Sequence, residues 1–197
     1  MNNMNNIIKL TTPLDKAKLS SLRAGDNVLL SGTIFTARDA AHKRFMALID
    51  KGEPLPVSLD GQILYYCGPT PPAPDRCIGS AGPTTSSRMD RYAPDILRKT
   101  GLLAMIGKGG RSAAVVEAIK ERGAVYFAAT GGAGALISSR VKSSEIVCYE
   151  DLGPEAVYKF EVESLPLIVA VDAQGNDLYE LGPKEYLSGR VAQRCVF

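Results

Sequence analysis

The stretch from Leu102 to Thr130 constrains the architecture more than any other part of the chain. It reads "LLAMI", "GKGGRS", "AAVVEAIKERG", "AVYFAAT". An apolar run, a glycine turn, an amphipathic segment closed by glycine and a second apolar run form the pattern of a βαβ unit. Its two strands lie parallel, and a parallel sheet needs cover on both faces. "NVLLSGTIFT", from Asn27 to Thr36, reads as another strand, and "TARDAAHKRFMALI" after it changes to a helical period. Ala41, Phe45, Leu48 and Ile49 fall on one face of that helix, and Thr36 and Asp39 have the spacing of a capping box.

The other segments fit the same scheme. "GQILYYC" reads as a strand, and the proline-rich "GPTPPAPDR" is a connector. "RMDRYAPDILRKTG" is expected to be helical, interrupted at Pro94 and closed by Gly101. "GGAGALI" reads as a second glycine turn entering a short helix. Most of the chain beyond it reads as strands, with "DAQGND" as a hairpin turn. The expected fold class is α/β, a mixed and partly parallel sheet with flanking helices. The expected domain runs from residue 10 to residue 197, after a frayed tail over residues 1–9.

Composition narrows the function. A chain of 197 residues with 45% hydrophobic and 22% charged residues can bury a real core. A net charge of +2 without a basic tract gives no nucleic-acid footprint. "MNNMNNIIKL" lacks the basic start and apolar run of a secretory signal, and "GLLAMIG" and "LPLIVAV" are too short to cross a membrane. The expectation is a cytoplasmic protein with no membrane attachment. Its four cysteines contain no C-x-x-C pair and it has one histidine, which is no zinc or iron–sulfur ligand framework. The cysteines are expected as buried small hydrophobes, and no metal is expected to be bound by this chain alone.

Cations stand at three junctions leading into helices: Arg38, Arg88, and Lys108 with Arg111. In an open α/β sheet such junctions gather at the carboxyl edge, where helix amides and dipoles favour anions. Each has a plainer account. "GKGGRS" is neither a P-loop nor a dinucleotide fingerprint, and alone it reads as a tight turn with solvated cations. Ser86 or Ser87 could simply cap a helix, and a lone histidine such as His42, one turn after Arg38, is more often structural than catalytic. Taken together, the cations and the Thr84–Thr85 hydroxyls describe a pocket for a small di-acid.

"SGTIFTARDAAHKR", "GPTTSSRMD", "GKGGRS" and the closing "VDAQGND" resemble the β portion of the iron–sulfur class I fumarases and L-tartrate dehydratases, over about Leu10 to Tyr179. The resemblance implies a swivelling β/β/α domain. It also implies a partner α subunit that supplies the four-iron–four-sulfur cluster, and hence a hetero-oligomer acting on a small dicarboxylate. By the same resemblance Arg38, Arg88 and Lys108 grip substrate and Thr84 is the base. Beside them, Thr85 is expected as a further substrate-binding residue, and His42 and Arg111 as supporting residues. "TTSS" stands where "TTAG" is usual, and Gly110 where asparagine is usual. The implied reaction is hydration of fumarate to malate. L-tartrate dehydration and a non-catalytic dicarboxylate-binding module are the alternatives.

Overall fold

The structure, a computed structural model, describes residues 7–194. Its seven strands are β1 (Ile7–Thr11), β2 (Asn27–Thr36), β3 (Ile63–Tyr65), β4 (Ala104–Gly107), β5 (Val125–Ala128), β6 (Val141–Cys148) and β7 (Val157–Val171). The helices are α1 (Lys16–Ser21), α2 (Asp39–Lys51), α3 (Ala93–Thr100), α4 (Ala113–Arg122), α5 (Gly134–Ser138) and α6 (Leu178–Arg194). The sheet order is β1-β2-β3-β4-β5-β7-β6, with β1 to β5 parallel to their neighbours. β7 runs antiparallel to β5, β2 and β6. Because β7 pairs with both β5 and β2, strands β2, β3, β4, β5 and β7 close into a barrel. The expected mixed α/β fold of the swivelling type is the one formed.

The pleat explains why the central strands are continuous apolar runs. Ile63, Tyr65, Ala104, Ile106, Val125 and Phe127 point into the barrel with Leu30, Ile34, Phe160 and Val169. Their alternates Leu64, Tyr66, Met105 and Tyr126 point outward, under Phe45 of α2, Ile96 and Leu97 of α3 and Ile119 of α4. Both faces are therefore dry, as parallel strands require. Among the described residues, no helix is long and apolar enough to cross a membrane.

Several local expectations change. β1 starts at Ile7, so Ile7–Lys9 are ladder residues paired with Asn27–Leu29 rather than tail, while residues 1–6 lie outside the described residues. Pro94 sits in the first turn of α3 and starts that helix instead of interrupting it, because its missing N–H is not needed there. "DAQGND" is not a hairpin between strands. The buried Asp172 carboxylate accepts N–H bonds from Ala24, Gln174 and Asn176, and the turn it organises feeds α6. Cys67 is buried and Cys148 half-buried, but Cys77 is exposed, and Cys195 lies outside the described residues.

His42 is fully buried on α2, between Tyr66 and Tyr92. Its Nδ1 is 2.8 Å from the Arg38 carbonyl oxygen, which can only accept, so Nδ1 carries the proton of the neutral ring. Burial is the main reason its pKa falls from 6.5 to about 4, and the nearby Arg111 pushes the same way against the Arg38 bond. A depressed histidine pKa contributes stability above the unfolded value and loses it as pH falls. Unfolding free energy should therefore drop by up to about 3 kcal/mol between pH 6.5 and 4 on account of His42. Denaturant titrations across that range should show a clearly shallower acid slope in His42→Phe. Equal slopes in the two proteins would contradict this.

Candidate functional site

The carboxyl ends of β2, β3, β4 and β5 open onto one edge of the barrel, and the loops leaving them carry the candidate residues. Arg38 is the residue before α2, with extended backbone. Thr36 does not cap that helix. Its buried hydroxyl accepts the Tyr158 N–H at 3.1 Å, and Arg38, two residues on, stands at the N-cap. The first-turn donor Ala40 N–H goes instead to Glu155 Oε2 at 2.9 Å. Glu155 Oε1 also lies 3.4 Å from Arg38 Nη2, so one carboxylate stabilises both the helix end and the cation beside it. Arg38 passes close over Gly68, where a Cβ would stand 2.8 Å from Nη1. Arg38 Nε is buried and has no hydrogen-bond partner.

The hydroxyl loop crosses this edge. Thr84 N–H donates to the Tyr66 carbonyl at 2.6 Å, just past β3. Thr85 pairs as a parallel bridge with Lys108, just past β4. A 3-10 turn, Ser86–Met89, then carries the chain toward α2, where Arg88 Nε donates to Asp39 Oδ1 at 3.0 Å and Nη2 lies 2.8 Å from Oδ2. Arg88 is thus held at the first residue of α2, next to Arg38. Thr84 is half-buried, whereas Thr85 and Arg88 are exposed. Neither Ser86 nor Ser87 caps a helix.

Lys108 begins the turn into α4, and its side chain runs beside Gly131 of the turn after β5. Among the described residues it forms no ion pair. Arg111, by contrast, does not face the edge. Its guanidinium is buried between the rings of Tyr66 and Tyr126, with Nε donating to Asp90 Oδ1 at 2.8 Å. Asp90 Oδ2 accepts the Ser112 N–H at 2.6 Å, so this pair fastens the end of the hydroxyl loop to the start of α4. His42 is likewise beneath the edge, touching Arg38 only through its carbonyl. The fold therefore gathers Arg38, Arg88, Thr84, Thr85 and Lys108 along connected loops and leaves Arg111 and His42 in the layer below.

Asp39, Glu155, Ser86 and Tyr126 complete the arrangement, and none of them stands out as a site residue in the sequence. Asp39 carries a signal, an acid in the first turn beside an unexplained arginine. Glu155 and Tyr126 do not, because their partners are remote in the chain. Among the described residues, no set of side chains fits the cluster implied by the resemblance. Burial pushes the Cys67 thiol up to about 12 and the Cys148 thiol up to about 11. No group of three or more His, Cys, Asp or Glu side chains among the described residues is arranged for a metal ion.

Residues 1–182 match the family described as "Fumarase C-terminus". A Methanocaldococcus jannaschii protein described as a putative L(+)-tartrate dehydratase subunit beta is 39% identical over 173 residues, covering 85% of this chain and 88% of that protein. Fumarate hydratase 2 of Leishmania major is 38% identical over 175 residues, covering 87% of this chain and 31% of that protein. The aerobic class I fumarate hydratase of Escherichia coli is 37% identical over 176 residues, with 88% and 32% covered. The chain thus spans about a third of the length of these fumarases. The fold, the loop motifs and these matches agree: the chain belongs to the fumarase C-terminal domain family, to which the β subunits of the tartrate dehydratase type also belong.

Proposed function

We propose that this chain is the β component of a two-subunit hydro-lyase that interconverts fumarate and (S)-malate. The observation that carries the reading is the hydroxyl loop, tied to Lys108 at one end and to the Arg38–Asp39 helix start at the other. An α-type partner carrying a four-iron–four-sulfur cluster completes the enzyme. A cytoplasmic setting belongs to the same reading, since Cys67, Cys77 and Cys148 are free thiols.

Dehydrating malate requires removal of a weakly acidic C–H proton beside a carboxylate. The negative charge that develops spreads onto that carboxylate, so fixed cations around it lower the barrier. Arg38 and Arg88 supply planar forks, each oriented by a carboxylate of the protein, and Lys108 supplies a compact charge. Thr85 donates or accepts one hydrogen bond at the rim. Thr84 Oγ1 takes the proton as the C3–H bond breaks, and the electron pair forms the C2–C3 double bond. The C2 hydroxyl leaves as hydroxide, a departure for which the partner's cluster would supply Lewis-acid chemistry. A threonine hydroxyl is a poor base in water, and only neighbouring positive charge from Arg88 and Lys108 makes its alkoxide accessible.

L-tartrate is the second substrate reading, favoured by the match along 88% of the tartrate dehydratase β-type relative. It would use the same residues, and assays of the assembled enzyme on fumarate, malate and tartrate separate the two.

In the assembled enzyme Thr84→Val should lower kcat by about 10²- to 10⁴-fold with little change in KM. Thr85→Val should do far less. A near-normal kcat with a raised KM in Thr84→Val would make Thr84 a binding hydroxyl and not the base. Arg88→Lys keeps the charge but loses the fork to Asp39, and should raise KM by about tenfold or more. An unchanged KM would remove Arg88 from the substrate grip.

A further inference from the structure

Lys108 is held by its backbone, and a short ring of hydrogen bonds holds that backbone. Ser86 N–H donates to the Lys108 carbonyl at 2.9 Å, and Lys108 N–H donates back to Ser86 Oγ at 3.1 Å. Ser86 Oγ lies 2.9 Å from Tyr126 Oη, and Tyr126 Oη donates to the Gly109 carbonyl at 2.9 Å. An amide can only donate and a carbonyl can only accept. One proton arrangement therefore satisfies every member: Lys108 N–H to Ser86 Oγ, Ser86 Oγ–H to Tyr126 Oη, and Tyr126 Oη–H to the Gly109 carbonyl. The ring begins and ends on adjacent residues. On its other side Gly109 N–H donates to Tyr179 Oη of α6 at 3.1 Å.

The ring is dry, since Ser86 and Tyr126 are both at 0% exposure. Burial raises the Tyr126 phenol above its ordinary range, so it stays a donor at neutral pH. The ring also depends on two glycines. A Cβ on Gly107 would overlap Ser86 Oγ, and Gly109 takes the left-handed φ of 81° that lets its carbonyl face Tyr126. Ser86 is two residues after Thr84, so the same hydroxyl that orders Lys108 also sets the Thr84–Thr85 loop against it.

We infer that Ser86 and Tyr126 are positioning residues of the proposed reaction, fixing the Thr84 hydroxyl and the Lys108 ammonium at one working separation. The inference rests on the hydro-lyase reading of the site. Neither residue touches substrate; both act through Lys108 and Thr84.

The test is a double-mutant cycle in the assembled two-subunit enzyme, with kcat/KM measured on fumarate, (S)-malate and L-tartrate for Tyr126→Phe, Lys108→Met and the pair. Tyr126→Phe alone should lower kcat/KM by about 10- to 100-fold, the scale of a small misplacement of a catalytic group. In the Lys108→Met background the same change should cost less than about threefold, because no ammonium is left whose separation from Thr84 needs fixing. A Tyr126→Phe loss of the same size in both backgrounds, or no loss in either, overturns the inference. If Lys108→Met itself loses nothing, the reading of the site fails and the inference fails with it. Amide exchange in the isolated chain is read without any activity. Tyr126→Phe and Ser86→Ala should each speed exchange at Lys108 by about tenfold or more while Met105 and Ile106 in β4 stay protected. An unchanged Lys108 rate would show that the ring does not order the loop. Should Tyr126→Phe fail to fold, Ser86→Ala takes its place in the cycle with the same expected and contradicting results.

Discussion

Everything in this molecule depends on where β7 goes. A fifteen-residue strand pairs with β6, β2 and β5 in turn, and by joining β2 to β5 it turns an open parallel sheet into a closed one. Closure creates an interior for Ile34, Ile63, Phe127 and Phe160, and among the described strands it leaves only β1 and β6 as edges. It requires two accommodations. The β2–β7 register shifts between Leu30 and Gly32, and Ser164 takes a positive φ of 52°. Barrel bends of this kind are where such irregularities occur.

Closure also delivers the site. With β2, β3, β4 and β5 parallel, their carboxyl ends lie together, and Arg38, the hydroxyl loop, Lys108 and Gly131 all leave from that edge. β7 contributes through the segment that precedes it, since Glu155 stands two residues before the strand and reaches back to cap α2 and pair with Arg38. Ion pairs orient the cations at the start of α2, and beneath them lies a drier layer of His42, Tyr66, Arg111 and Tyr126. The cations of the edge are therefore backed by neutral rings and a paired guanidinium.

Local pattern carries the strands and most helices. Ile63 to Cys67 and Ala104 to Ile106 are apolar on both alternating faces, which only a doubly covered strand explains, and Gly101 and Gly123 end α3 and α4 in the left-handed conformation. The features that are not legible turn on contacts between distant residues. Thr36 and Asp39 have capping-box spacing, yet the partner of Thr36 is Tyr158, 122 positions away. Arg111 has the local pattern of a solvated cation in a glycine turn, and only the fold encloses it with Asp90 and two tyrosines. Strands and a turn are expected over the C-terminal part, whereas a helix, α6, follows the turn and holds Gly182 and Pro183 within it. The cations at the edge are visible one by one in the sequence, and so is Asp39, but Glu155 and the pairing of Asp39 with Arg88 are not.

The central claim is that this chain supplies the cations and the hydroxyl of a site whose cluster resides in another subunit. Its most direct test is anaerobic assembly, with bound iron and fumarate hydration measured for this chain, for a cluster-bearing α-type partner, and for the two combined. The account predicts iron only with the partner and turnover only in the combination. A stoichiometric cluster and turnover in this chain alone would contradict it, as would a stable combined complex that is inactive on fumarate, malate and tartrate alike.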